Sequence, residues 1–176
     1  MLLGSEIGAA LNSLAALDVD LIGMNCATGP AEMSEHLRTL SKSSPIGISC
    51  MPNAGLPVLK DGGAYYPLGP DELASSLSTF VDEYGVGLIG GCCGTTPEHL
   101  AAVVKKMNRH HSLVRQPKLE SGASSLYQFV PFRQDQTYLA IGERTNANGS
   151  RAFRDALIAE DWEKCVEIAK DQIREG

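Results

Sequence analysis

A chain of 176 residues with 43% hydrophobic and 20% charged residues has the size and composition of one ordinary globular domain. Its net charge of −6 argues against the clustered basic face of a nucleic-acid binder. No apolar run approaches the roughly 18 residues of a membrane span, and residues 1–6 lack the basic and apolar regions of a signal peptide.

The first expected helix covers residues 5–17, with Ile7, Ala10, Leu11, Leu14 and Leu17 on one stripe. Asp20-Leu21-Ile22-Gly23-Met24-Asn25 reads as a buried strand that ends in Cys26. Gly29-Pro30 then starts a second helix with proline at its tolerated first position and Met33, Leu37 and Leu40 inward. Residues 45–50 form a second strand, and residues 51–70, rich in glycine and proline, read as a long loop of functional length. A third helix spans residues 71–84, capped near Asp71 and buried along Leu73, Leu77, Phe80 and Tyr84. Val86-Gly87-Leu88-Ile89 is a third strand that runs through Gly90-Gly91 into Cys92-Cys93-Gly94. A fourth helix over residues 98–108 places Leu100, Val103, Val104 and Met107 on one side.

This alternation, with strands that look covered on both faces, predicts an α/β fold with a parallel sheet. From residue 110 to 136 no period persists, and the segment reads as a linker or a surface strap. A strand at residues 138–142 and helices at 151–159 and 162–175 follow. Three parallel strands do not close a barrel, and a lone strand does not bury a sheet edge. The pattern therefore predicts the end of one α/β domain (1–109), a linker (110–136) and the start of another domain (137–176). Met1 would then be internal to a longer chain. A small open α/β domain with a helical arm is the alternative.

Five cysteines, an odd number in a chain without an export signal, point to a cytoplasmic protein with reduced thiols or metal ligands. Cys26, Cys92 and Cys93 all sit just past strand ends, which share one face of a parallel sheet or barrel. Three thiolates with an open fourth position make a catalytic zinc site. Cys92 and Cys93 share a metal only if the backbone turns between them, which Gly90, Gly91 and Gly94 permit. Cysteine is also a common small core residue, so the residues alone leave both readings open. Cys50 and Cys165 read as packing residues, and His36, His99, His110 and His111 have no partner at ligand spacing.

Gly23-Met24-Asn25-Cys26 with Gly29-Pro30, the loop Pro52-Asn53-Ala54-Gly55-Leu56-Pro57, and Gly90-Gly91-Cys92-Cys93-Gly94-Thr95-Thr96-Pro97-Glu98-His99 together resemble the C-terminal part of the homocysteine-binding barrel of homocysteine methyltransferases. Ile141-Gly142-Glu143-Arg144-Thr145-Asn146 with Gly149-Ser150 is similar to the opening of the pterin-binding domain of the cobalamin-dependent methionine synthase family. The resemblance implies the last strands of one (β/α)8 TIM barrel followed by the first βα unit of a second. It implies that Cys26, Cys92 and Cys93 hold zinc, that Asn53 occupies or lines the fourth position, and that Glu143 and Asn146 approach folate. It further implies homocysteine and 5-methyltetrahydrofolate as substrates and a cobalamin cofactor, methylcobalamin, held by a domain outside this chain. Without the earlier strands and the later domains the chain is expected to be inactive alone.

Other readings stay open from sequence. Asn146, Asn148 and Ser150 are also the residues that shape a turn and cap a helix. The chain also fits a homocysteine methyltransferase fused to another folate enzyme, or a small zinc or redox module in which Cys92 and Cys93 form a vicinal disulfide.

Overall fold

The computed structural model describes residues 4–60, 62–108, 112–125, 127–135 and 142–175. It divides into two units, Met1–Phe132 and Arg133–Gly176. In the first unit the chain runs α1 (Ile7–Ala15), β1 (Leu21–Asn25), α2 (Pro30–Ser43), β2 (Gly47–Met51), β3 (Val58–Lys60), β4 (Gly63–Tyr65), α3 (Pro70–Tyr84), β5 (Leu88–Ile89), α4 (Pro97–Met107), β6 (Gly122–Ser124) and β7 (Phe129–Pro131). No helix among the described residues is long and apolar enough to cross a membrane.

The helices form where apolar spacing and capping agree. Pro30 opens α2, and Met33, Leu37 and Leu40 are buried along it. In α3 the cap lies ahead of the expected Asp71. Pro70 takes the first turn, and the Glu72 carboxylate accepts the Gly69 N–H at 3.0 Å. Leu73, Leu77, Phe80 and Tyr84 are buried on α3, and the Tyr84 hydroxyl meets Ser34 Oγ of α2 at 3.1 Å. On α4 the stripe rotates relative to the expected one. His99 and Val103 are buried, and Ala102 and Met107 pack on the core, while Leu100 and Val104 face outward. Helix α1 stops at Ala15, short of the exposed Leu17, and on the helix Ala9 and Leu11 are buried while Leu14 is exposed.

The central sheet has strand order β1-β2-β5, all parallel. Ile22 pairs in register with Ile48 and Met24 with Cys50. Ile22, Ile48 and Cys50 join the core residues of α2 and α3 on one face. The expectation that the strands are covered on both faces holds for that face alone. On the opposite face Leu21 is 46% and Leu88 42% exposed, because the helices α1 to α4 supply apolar residues to one side.

Two hairpins lie in segments that read as irregular in sequence. Within the long loop, β3 and β4 pair antiparallel, Val58 opposite Tyr65. Beyond α4 the chain crosses back over the first unit. Arg115 donates to the carbonyls of Ser44 (2.8 Å) and Ile46 (2.7 Å). The β6-β7 pair then reaches α1, where Asn12 Nδ2 donates to Gly122 O (3.3 Å) and Ser124 Oγ (3.0 Å). Residues 112–125 and 127–132 therefore satisfy polar groups of the first unit.

The second unit contains α5 (Arg151–Ile158) and α6 (Trp162–Glu175). Ser150 caps α5 by accepting the Phe153 N–H at 3.3 Å, and Ala156 and Cys165 are buried. The strand expected at 138–142 lies outside the described residues apart from Gly142, as do His110 and His111.

Candidate metal centre

Three strand ends meet at one edge of the central sheet. Cys26 follows β1, Asn53 lies just past β2, and Cys92 and Cys93 lie just past β5. Because β2 is the middle strand, its loop is hydrogen-bonded from both sides. Cys26 N–H donates to Met51 O (3.0 Å) and Asn53 N–H to Thr28 O (3.0 Å). Cys92 N–H donates to Pro52 O (2.8 Å) and Ala54 N–H to Cys93 O (2.9 Å). This main-chain lattice fixes the Cys26 and Cys92-Cys93 loops against one another before any side chain is considered.

The turn needed between the paired cysteines is present. Thr95 N–H donates to Cys92 O at 3.1 Å, and Gly94 has φ of 77°. Gly94 occupies the third position of that turn, where a type II turn requires positive φ. Gly91 leaves room for Thr95, whose Oγ1 would lie 2.3 Å from a Cβ at position 91.

The three Sγ atoms lie within 4.8 Å of one another, with Cys26 to Cys93 at 3.5 Å and Cys92 to Cys93 at 4.0 Å. A tetrahedral zinc with Zn–S bonds of about 2.3 Å requires sulfur separations of about 3.8 Å. The donor set therefore fits zinc in both chemistry and spacing. Among the described residues no other group of three His, Cys, Asp or Glu side chains converges in this way. All three cysteines are free thiols, and Cys93 is exposed.

The local hydrogen bonds polarise the trio. A bond from the Ala27 backbone, aided by the Cys92 and Cys93 thiols and the Asn53 amide, holds Cys26 below the usual thiol range. Its hydrogen bond to Cys26 pushes Cys92 up. Asn53 is buried, and its Oδ1 accepts the Cys93 N–H at 3.1 Å. With its own N–H on Thr28 O, it braces the loops on both sides of the trio. Tyr66, which the sequence reading did not single out, adjoins Cys93.

Cys50 behaves differently. It is fully buried on β2, and desolvation pushes its thiol up to about 12. Alkylation with iodoacetamide at pH 8 should modify Cys93 readily and leave Cys50 unmodified in the folded chain, because Cys50 stays a protonated, inaccessible thiol. Mass spectrometry of peptides after timed quenching reads the difference, and early labelling of Cys50 would contradict it.

The Cys26 loop holds backbone strain. Cys26 and Ala27 have φ of 59° and 62°, and Thr28 N–H closes onto Cys26 O at 2.7 Å. Left-handed backbone at a residue with a Cβ costs roughly 1–2 kcal/mol, and strain of this kind persists where neighbouring structure imposes it. Ala27 is exposed, so Ala27→Gly should stabilise the chain by about 0.5–1 kcal/mol after the entropy of glycine is deducted. A rise in urea midpoint with an unchanged slope is the expected result.

His99 is held at both ring nitrogens. His99 Nδ1 receives the Thr96 N–H at 3.2 Å, which leaves Nε2–H to donate to Leu68 O at 2.9 Å. That histidine ties α4 to the segment before α3. In the second unit Asn146 Oδ1 accepts the Asn148 N–H at 3.0 Å, and Glu143 O accepts the Asn146 N–H at 2.9 Å. Glu143 folds its carboxylate over Gly149, where a Cβ would meet Oε2 at 2.3 Å.

Comparison with known proteins bears on this arrangement. Residues 1–107 match the model of the family described as homocysteine S-methyltransferase. Over 176 residues the chain is 60% identical to a methionine synthase of Mycobacterium tuberculosis (strain ATCC 25618 / H37Rv), covering 100% of this chain and 15% of that protein. It is 59% identical over 181 residues to a methionine synthase of Mycobacterium leprae (strain TN), again covering 100% of this chain and 15% of that protein. The chain thus spans 15% of the length of these relatives.

Proposed function

The chain belongs to the homocysteine S-methyltransferase family through residues 1–107, and from that premise we propose that it carries the zinc-binding part of the homocysteine site of a methionine synthase. The observation that supports this most strongly is the convergence of the Cys26, Cys92 and Cys93 sulfurs within 4.8 Å at the ends of parallel strands. In this reading the three cysteines hold zinc and the amide of Asn53 lines the fourth position. The β1-β2-β5 sheet is a section of a TIM barrel, and its uncovered face, with Leu21 and Leu88, turns toward the barrel interior.

Zinc bound there supplies Lewis acidity that favours the thiolate of homocysteine, a thiol whose ordinary pKa of ~8.5 leaves it mostly protonated at neutral pH. The chain's own residues do the positioning. Asn53 holds the Cys93 amide and, through Thr28 O, the Cys26 loop in place, and the Cys92–Thr95 turn directs two adjacent sulfurs to one point. In the whole enzyme the homocysteine sulfur would receive a methyl group from cobalamin, which 5-methyltetrahydrofolate then re-methylates, giving methionine. Residues 137–176 would begin the pterin-binding barrel, with Glu143 and Asn146 facing folate. By itself the chain would be inactive, since these reactions need groups contributed by other domains.

Zinc analysis of the reduced chain after gel filtration tests the reading. One zinc per chain is the expected result. A chain that takes up no zinc and instead oxidises to a Cys92–Cys93 disulfide would overturn it in favour of a redox module.

A further inference from the structure

On the reading of Cys26, Cys92 and Cys93 as the zinc ligands, we propose that His99 is a positioning residue of the metal centre. Its imidazole closes a ring of hydrogen bonds that fixes where the Cys93 peptide sits.

Each bond of the ring is short. Cys93 O accepts the Ala54 N–H at 2.9 Å, and Ala54 O accepts the Leu68 N–H at 3.0 Å. Leu68 O accepts from His99 Nε2 at 2.9 Å, and His99 Nδ1 accepts the Thr96 N–H at 3.2 Å. Thr96 is three residues past Cys93, so the path returns to the loop from which it started. On its amide side Cys93 is held by Asn53 Oδ1 at 3.1 Å. Asn53 and Ala54 are consecutive, so a shift of this pair disturbs both bonds to Cys93.

The partners also fix the proton on the imidazole. A backbone N–H only donates and a carbonyl only accepts, so Nδ1 is bare and Nε2 carries the hydrogen. His99 is buried and stands at the third position of α4, behind Thr96 and Pro97. A glutamate there would also accept the Thr96 N–H, which is its usual service at this position. It would have no N–H for Leu68 O. The second nitrogen is therefore what distinguishes His99 from an ordinary cap, and Val103 in the core anchors the helix that carries it.

The ring has little slack. Gly55 has φ of 89°, and a Cβ there would lie 3.2 Å from Leu68 Cβ and 3.3 Å from Pro67 Cδ. A Cβ on Gly94 would lie 2.3 Å from Tyr66 Cβ. The segments 53–55, 66–68 and 92–96 thus pack main chain against main chain, and a displacement of Leu68 passes to Ala54 and Cys93. Groups around a metal site that orient its ligands in this way contribute to its affinity without touching the metal.

Two variants separate the nitrogens. His99→Asn can still accept the Thr96 N–H but is too short to reach Leu68 O, whereas His99→Gln is long enough to bring an amide N–H to that carbonyl. In chelator competition His99→Asn should hold zinc about 10-fold more weakly, and His99→Gln should hold it as the unsubstituted chain does. Leu77→Ala, in the buried face of α3, is the control for stability: its urea midpoint should fall while its zinc affinity stays. Equal affinities in all four proteins would overturn the role of His99 and leave the ligand set standing. Equal weakening by the asparagine and glutamine variants, or by Leu77→Ala, would also overturn it, since bulk or general stability would then be the cause. Should His99→Asn fail to fold, the unsubstituted chain gives the answer by NMR. The His99 Nε2–H resonance should shift as zinc is added, and a resonance that stays in place while zinc binds would overturn the coupling. Failure of the unsubstituted chain to take up zinc would overturn the ligand set, and the proposal with it.

Discussion

Replacing Cys26 by serine is expected to empty the metal centre, with zinc falling from one per chain to below ~0.1 and affinity weakening by more than ~100-fold. Cys26 is the one member of the trio supplied by β1, and its sulfur lies 3.5 Å from that of Cys93. It is also the sulfur on which the donors converge, from the Ala27 backbone to the Cys92 and Cys93 thiols and the Asn53 amide. Serine preserves the size and can occupy the same left-handed backbone, but its neutral hydroxyl is a poor substitute for a soft thiolate. Cys92 and Cys93 would then be left as two ligands on adjacent residues, too few to retain zinc against a chelator. Cys165→Ser is the control: Cys165 lies on α6 and takes no part in the trio, so that variant should keep its zinc. Elemental analysis and chelator competition read both. Full zinc retention by the serine variant at position 26 would remove Cys26 from the site.

The convergence of the cysteines was legible because strand ends in a parallel sheet share a face, and Cys26 directly follows β1 while Cys92 and Cys93 lie two glycines past β5. The conformation that aims Cys26 was not legible. Left-handed backbone is expected of glycine, and here the chain puts Cys26 and Ala27 in it, a choice imposed by the hydrogen bonds to Met51 and from Thr28 rather than by local preference. Tyr66 escaped for a related reason. It belongs to a segment whose glycines and prolines signal a loop, whereas Val58–Lys60 and Gly63–Tyr65 pair as a hairpin, and only that pairing decides which of two consecutive tyrosines faces the thiols. Residues 112–132 lack any period because they are fixed by bonds to Ser44, Ile46 and Asn12, partners distant in sequence. The helices were the most legible elements, since Met33, Leu37 and Leu40 on α2 and Leu73, Leu77 and Phe80 on α3 are buried at the spacing the pattern implies.

Gly94→Ala should destabilise the chain by about 2–5 kcal/mol and loosen the metal centre at the same time. Two separable effects add at this position. The first is conformational: Gly94 has φ of 77°, and an alanine there costs roughly 1–2 kcal/mol. The second is steric. The new Cβ would fall 2.3 Å from Tyr66 Cβ and Cγ, and Tyr66 Cβ is bound to the backbone, so relief requires the loop and not just a rotamer to move. Overpacking of this kind typically adds 1–3 kcal/mol. Gly62 isolates the first effect, because it has φ of 80° and nothing within 4 Å of a built Cβ. Gly62→Ala should therefore cost only the roughly 1–2 kcal/mol of the backbone. Urea unfolding of the two variants side by side gives the steric part as their difference, provided the slopes match. Gly94 also forms the turn that sets Cys92 and Cys93, so Gly94→Ala should weaken zinc binding in chelator competition, and Gly62→Ala should not. Equal destabilisation by the two alanines would show that the contact between Tyr66 and Gly94 carries no energy, and an unchanged zinc affinity in Gly94→Ala would separate the turn from the metal centre.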